Sequence, residues 1–150
     1  MKVNYFNIPE ITVSYKDNVK ASERAVVKSL ADAAKILSVA FENCMEHHEE
    51  AYVLFLNRAN RVLGISCISK GGISGTVVDV RIILQTALKV SASALMLSHN
   101  HPSGSTKPSR EDITLTQTIQ KGCEAVGIQL LDHVVMTSES YMSFADEGLL

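Results

Sequence analysis

No apolar run in this sequence approaches the ~20 residues that a membrane-spanning helix needs, and the opening MKVNYFNIPEITVSYKDN lacks the continuous apolar stretch of a secretory leader. No membrane association is expected, and the cytoplasm is the default compartment. Cysteine is scarce as well. Cys44, Cys67 and Cys123 are odd in number, widely spaced and without a C-x-x-C pair, so they are expected to be reduced core residues and not a disulfide framework. Positive charge is not in excess. Fourteen Lys+Arg against 16 Asp+Glu leave a net charge of -2, which disfavours nonspecific nucleic-acid binding, although a local basic patch stays compatible with it. Internal repeats and low-complexity tracts are missing, and Gly and Pro punctuate elements without gathering into a linker.

What is present is a globular composition, 46% hydrophobic and 20% charged over 150 residues, enough for one domain with a real core. Residues 11–15 alternate apolar with polar side chains as a half-buried strand does, so 1–28 is expected to be an N-terminal strand and lead-in, with the main domain over 29–150. Ser29 then caps an amphipathic helix carrying Leu30, Ala33, Ala34, Leu37, Ala40 and Phe41 on one face and ending near Glu46-His47-His48. The runs 51–56 and 61–69, joined by Asn57-Arg58-Ala59-Asn60, predict a hairpin that Gly71, Gly72 and Gly75 terminate. Asp79 caps a second helix with Val80, Ile83, Leu84, Ala87 and Leu88 inward. Ala94-Leu95-Met96-Leu97 reads as a buried central strand. A third helix follows Pro108-Ser109 with Leu115, Ile119, Cys123 and Val126 inward, then an apolar strand over 128–136, then a short tail from Tyr141. The expected class is α/β with a mixed sheet flanked by helices.

The central strand runs into Ser98-His99-Asn100-His101-Pro102-Ser103-Gly104. Two histidines separated by one residue at a strand exit point to the same side and can share a metal. Pro102 and Gly104 turn the chain, and the helix opened by Ser109-Arg110-Glu111-Asp112 can bring Asp112 back to them. Two imidazoles and one carboxylate suit Zn²⁺ and leave its fourth position to water, the arrangement of a catalytic site. A further carboxylate is then needed to steer the water's proton. The competing reading makes Ser109 and Asp112 an ordinary capping box. His47 and His48, adjacent at a helix end, read as a solvated terminus. His133, after Asp132, is either a buried hydrogen-bonded group or a partner to a metal ligand.

His99-Asn100-His101-Pro102, six residues, then Ser109-Arg110-Glu111-Asp112 resembles the JAMM motif of MPN-domain metalloproteases, His-x-His-Pro-x6-Ser-x-x-Asp. The wording is closer still to the bacterial RadC family, with its His-Asn-His-Pro-Ser-Gly, its Pro-Ser-x-x-Asp, Leu131-Asp132-His133 and the ending Ser143-Phe144-Ala145-Asp146-Glu147-Gly148-Leu149-Leu150. From about Ser29 onward the chain is similar to that family's catalytic domain. The resemblance implies a cytidine-deaminase-like, MPN (JAB) fold and a zinc ion on His99, His101 and Asp112. It also implies Ser109 as an oxyanion stabiliser and an upstream glutamate as catalytic acid–base. Glu49 fits that register, before the run beginning at Ala51. Glu50 is the neighbouring alternative, and alternation puts the two on opposite faces.

The chain departs from these patterns in three places. No paired Gly-rich turns of a helix-hairpin-helix region precede Ser29, Asn100 replaces a small hydroxyl residue, and Ala51 is small where a bulky residue is common. A ubiquitin-like substrate does not follow, and DNA contact through such a region is not expected. The expected function is that of a zinc peptidase or isopeptidase acting on an unidentified amide. The alternatives are a DNA-repair-associated or mobile-element accessory protein and a non-catalytic interaction module. An HNH nuclease is discounted, because that motif spreads its residues over a ββα unit.

Overall fold

A computed structural model describes residues 9–72 and 77–150. The β-rich runs form the expected hairpin, β1 (Glu50–Leu56) with β2 (Val62–Lys70), paired antiparallel. Asn57 builds its turn: Oδ1 accepts from the backbone N–H groups of Ala59 and Arg61 at 2.9 and 3.0 Å. Three helices start at the caps read from the sequence. Ser29 precedes α1 (Leu30–Ala40), Asp79 precedes α2 (Val80–Lys89) and Ser109 precedes α3 (Arg110–Ala125), each cap accepting a backbone N–H of the first turn. The remaining strands are β3 (Ala94–Asn100), β4 (Gln129–Met136) and β5 (Tyr141–Ser143).

Among the described residues the sheet has the order β2-β1-β3-β4-β5. The β3–β4 pair is parallel with α3 as its crossover, and the other neighbours are antiparallel. This is the expected mixed α/β sheet flanked by helices. Because strand side chains alternate, β1 and β3 feed a core on each face. Leu54, Leu56, Ala94 and Met96 pack with Leu37 and Phe41 on the α1 side. Val53, Phe55, Leu95 and Leu97 pack with Ile83 of α2 and Ile119 and Cys123 of α3 on the other. That division decides where each polar side chain of β1 and β3 can point.

Several expectations are corrected. Residues 11–15 form no strand, and Ile11 and Val13 are 87% and 72% exposed. The edge of β2 is met instead by 25–27: Val62 N–H donates to the Ala25 carbonyl, and Val27 N–H to the Asn60 carbonyl. Alternation without a partner edge makes no ladder. α1 stops at Ala40 and 41–48 continues as turns. Cys44 and Cys123 are free and buried as expected, but Cys67 is free and exposed, since its face of the edge strand β2 is only partly covered. Leu88 and Val126, expected inward, are 54% and 40% exposed. The tail contains strand β5, and Phe144 after it is fully buried. Gly75 and the opening residues 1–8 lie outside the described residues. No helix among the described residues is long and apolar enough to cross a membrane.

Candidate metal centre

The apolar run of β3 continues in the ladder beyond Leu97. Ser98, His99 and Asn100 stay paired with β4, so the His-Asn-His pattern begins inside the sheet. His99 therefore points to the α2–α3 side with Leu97, while Asn100 points to the α1 side. His101 follows at the turn, its N–H bonded to the Met136 carbonyl at 2.9 Å. His99 Nε2 and His101 Nε2 lie 2.8 Å apart. Asp112 Oδ2 lies 3.4 Å from the first and 3.5 Å from the second. The three side chains sequence spacing predicted are thus brought together.

For neutral rings, the hydrogen-bond partners assign one set of tautomers. His101 Nδ1 faces the Ser105 carbonyl at 2.7 Å and donates to it, so in the neutral ring Nε2 is the nitrogen with a free lone pair. On the far side, Thr116 Oγ1 donates to the Asp112 carbonyl at 2.7 Å and so accepts from His133 Nδ1 at 2.6 Å. His133 Nε2 then accepts from His99 Nδ1 at 2.7 Å, and His99 Nε2 is also bare. With neutral rings, two lone pairs and a carboxylate oxygen converge, a donor set that a metal cation would satisfy. The same cluster also attracts a proton, which would compete with a metal ion for Nε2. Hydrogen bonding to Asp112 outweighs burial and raises the His101 pKa. Burial alone pushes the Asp112 carboxyl up, but hydrogen bonds from His101 and His99 outweigh it and hold the carboxyl far below the usual range.

Zinc fits this donor set. Tetrahedral zinc with bonds of about 2.0–2.1 Å keeps neighbouring donors about 3.3 Å apart. The two histidine–aspartate separations match that edge, and the imidazoles at 2.8 Å need only a small opening. The capping box that competed with the metal reading is also present, and the two do not conflict. Ser109 Oγ accepts from Asp112 N–H at 3.0 Å, and Asp112 Oδ2 accepts from Ser109 N–H at 2.8 Å. The cap fixes the carboxylate that faces the histidines.

Glu49 and Glu50 diverge as alternation requires. Glu49 lines a small cavity of about 30 Å³ together with Ala51, Leu97, His99, Asp112 and His133, and its charge reaches His101. Glu50 is buried on the α1 side, where Oε2 accepts from Tyr52 Oη at 2.8 Å and Oε1 faces His48 Nε2 at 2.9 Å. His48 is therefore not the solvated terminus expected of it, since the turns after α1 carry it back over the start of β1.

His133 is buried and hydrogen-bonded, and the ring its Nε2 faces is His99, so the geometry suits both expected readings. Burial, and then the charge of His99, push its pKa well below the ordinary value, which keeps the ring neutral and able to accept from His99. It stacks on Phe144 at 4.4 Å between centroids. Ligand partners of this kind are worth about 10- to 100-fold in metal affinity. His133→Ala is therefore expected to weaken zinc binding by about that factor with His99, His101 and Asp112 all retained, as measured by competition with a chromophoric chelator; unchanged affinity would refute the role. Asn100 has a structural part that neither motif describes. It is fully buried and ties three elements together, with Oδ1 accepting from Glu50 N–H and Nδ2 facing the carbonyls of Cys44, Met45 and His48 at 2.8–3.2 Å. Its position between two ligands was the only available hint.

Comparison with known proteins agrees with this geometry. A family model described as RadC-like JAB domain matches residues 25–149. A UPF0758 protein of Flavobacterium johnsoniae is 46% identical over 102 residues, 68% of this chain and 44% of that protein. Another, from Symbiobacterium thermophilum, is 38% identical over 127 residues, 85% of this chain and 50% of that protein. A third, from Aquifex aeolicus, is 33% identical over 127 residues, 85% of this chain and 54% of that protein. The chain spans about half the length of the curated relatives it matches. With the motif in place, the sheet as expected and the family model covering nearly all of the domain, the chain belongs to the RadC-like JAB domain family.

Proposed function

We propose that this centre is that of a zinc-dependent hydrolase, a peptidase or isopeptidase of the JAMM type. The observation that carries the reading is the convergence of two imidazole nitrogens and one carboxylate oxygen, with a second carboxylate lining the adjoining cavity. His99, His101 and Asp112 would hold the ion. Bound zinc supplies Lewis acidity and lowers the pKa of a coordinated water to about 7.

The chain's own groups account for the rest. Glu49 accepts a proton from the attacking water as the new C–O bond forms, and delivers it to the leaving nitrogen as the tetrahedral adduct collapses and the amide C–N bond breaks. Ser109 Oγ already accepts from the Asp112 N–H, and its own hydroxyl proton stays available to the tetrahedral oxyanion. The chain of His133 and Thr116 favours the His99 tautomer that leaves Nε2 free to face the ion.

Elemental analysis and a panel of peptide and isopeptide amides test the proposal. Zinc is expected in the purified protein, turnover is expected to stop on chelation and return with zinc, and His101→Ala is expected to remove both. Turnover that survives either chelation or His101→Ala would tell against it.

A further inference from the structure

Behind Glu49, on the α1 side of the sheet, three different ligand types meet. Cys44, His48 and Glu50 each offer an atom within 4.8 Å of the other two. The turns after α1 bring them together. The His48 N–H donates to the Cys44 carbonyl, placing the two residues one helical turn apart on the same side, and Glu50 opens β1 beneath them. Cys44 and Glu50 are 3% and 6% exposed, whereas the His48 side chain keeps 27% of its surface. None of these residues belongs to the centre at His99.

We propose that Cys44, His48 and Glu50 form a second metal site, for a thiophilic divalent ion of the zinc type. Sulfur, imidazole and carboxylate together select borderline ions over magnesium or calcium. A buried carboxylate calls for cationic or hydrogen-bonded compensation, and the two Glu50 oxygens are divided in that respect. Oε2 accepts from the Tyr52 hydroxyl and Oε1 pairs with His48 Nε2 at 2.9 Å on the Cys44 side, a contact that an ion bound to both groups would replace. The exposed edge of His48 provides an entry path and a fourth position for water. A competing cation, Lys70 Nζ at 3.7 Å from Oε1, sits on a side chain that is 70% exposed and can swing to solvent.

Without metal the thiol is a neutral donor: burial, then the charge of Glu50, push its pKa up to about 11. Binding exchanges the thiol proton, released to solvent, for a sulfur–metal bond, and His48 binds as neutral imidazole. The site has a mechanical connection to the other face. Asn100, between the two histidines, grips the carbonyls of Cys44, Met45 and His48, and Glu50 is joined directly to Glu49. A metal here would pin the turn against which both lean.

Cobalt(II) provides the test, because the centre at His99, His101 and Asp112 contains no sulfur. At saturation the wild-type chain is expected to show a thiolate-to-cobalt charge-transfer band that titrates with one equivalent of metal. The band should vanish in Cys44→Ser and persist in Cys67→Ser, Cys123→Ser and His101→Ala, the last making the result independent of the proposed hydrolase. His48→Ala, at a part-exposed position that tolerates truncation, is expected to weaken this cobalt binding by at least the 10- to 100-fold worth of a ligand partner, with the circular dichroism unchanged. This variant decides the matter if Cys44→Ser does not fold. Absence of a thiolate band in saturated wild type, its survival in folded Cys44→Ser, or undiminished cobalt affinity in His48→Ala would overturn the site.

Discussion

Glu49→Gln is expected to reduce amide hydrolysis by about 10²- to 10⁴-fold, the usual worth of a general acid–base group, while metal content and fold stay intact. Glu49 lines the cavity shared with His99 and Asp112 but lies outside the three-atom cluster that could hold the ion. Its loss therefore removes a proton carrier and not a ligand. Glu50→Gln separates the two acids. From sequence alone this change looks nearly silent, because the side chain lies on the other face. Its burial against His48 and Tyr52 changes that expectation. Burial raises the Glu50 pKa, but hydrogen bonds from His48 and Tyr52 outweigh it and the net shift is downward. A lowered folded-state pKa means the carboxylate contributes stability above the ordinary glutamate pKa and loses it as pH falls. Glu50→Gln should therefore lower stability at neutral pH, flatten its fall toward acid, and leave the chemical step in place. Metal loss in Glu49→Gln would make Glu49 a ligand. Turnover abolished by Glu50→Gln alone, in protein shown to be folded, would reassign the base.

The second large effect is expected at Asn100, where Asn100→Asp preserves shape and reverses chemistry. Nδ2 faces three backbone carbonyls at 2.9–3.2 Å. Whichever of them the amide serves at a given moment, an ionised carboxylate can donate to none and sets negative charge against all of them. Each buried group left unsatisfied costs about 1–3 kcal/mol, and charged groups cost more, so the variant should lose about 3 kcal/mol or more at neutral pH. Chemical denaturation measures this directly. The new carboxyl is destabilised in its charged form, which raises its folded-state pKa. Its penalty is then full above that pKa and relieved as pH falls toward the ordinary aspartate value of about 3.9, where the protonated group can donate again. A denaturation midpoint equal to wild type at pH 7 would show that Asn100 does not hold the turn.

Much of the frame was legible because it rests on local rules. Ser29, Asp79 and Ser109 start helices through bonds made within four residues, and Asn57 builds its turn within five, so short windows contain the cause. His99 and His101 share a side by strand parity, and spacing brought Asp112 within one helix start of them. What failed had its cause far along the chain. Residues 11–15 have strand-like alternation, but 25–27 meet the edge of β2 instead. Cys67 is apolar in context yet sits on a thinly covered edge strand.

The sequence by itself determined the element types, the helix starts and the candidate ligand set, since periodicity, capping and motif spacing act over a few residues. Only the tertiary structure decided what stands behind the ligands. β4 pairs Leu130 with Leu95 but Asp132 with Met96, an irregularity of one residue. That shift places His133 beside Leu97, on the face where His99 needs it, and turns Asp132 away to accept from Ser143 Oγ at 2.5 Å. With uniform pairing, parity would put the histidine on the α1 side and the aspartate behind His99. The same folding sets Asn100 against the turns at 41–48 and gathers Cys44, His48 and Glu50, because contacts across the sheet depend on which neighbour each strand finds, and no local pattern records that choice.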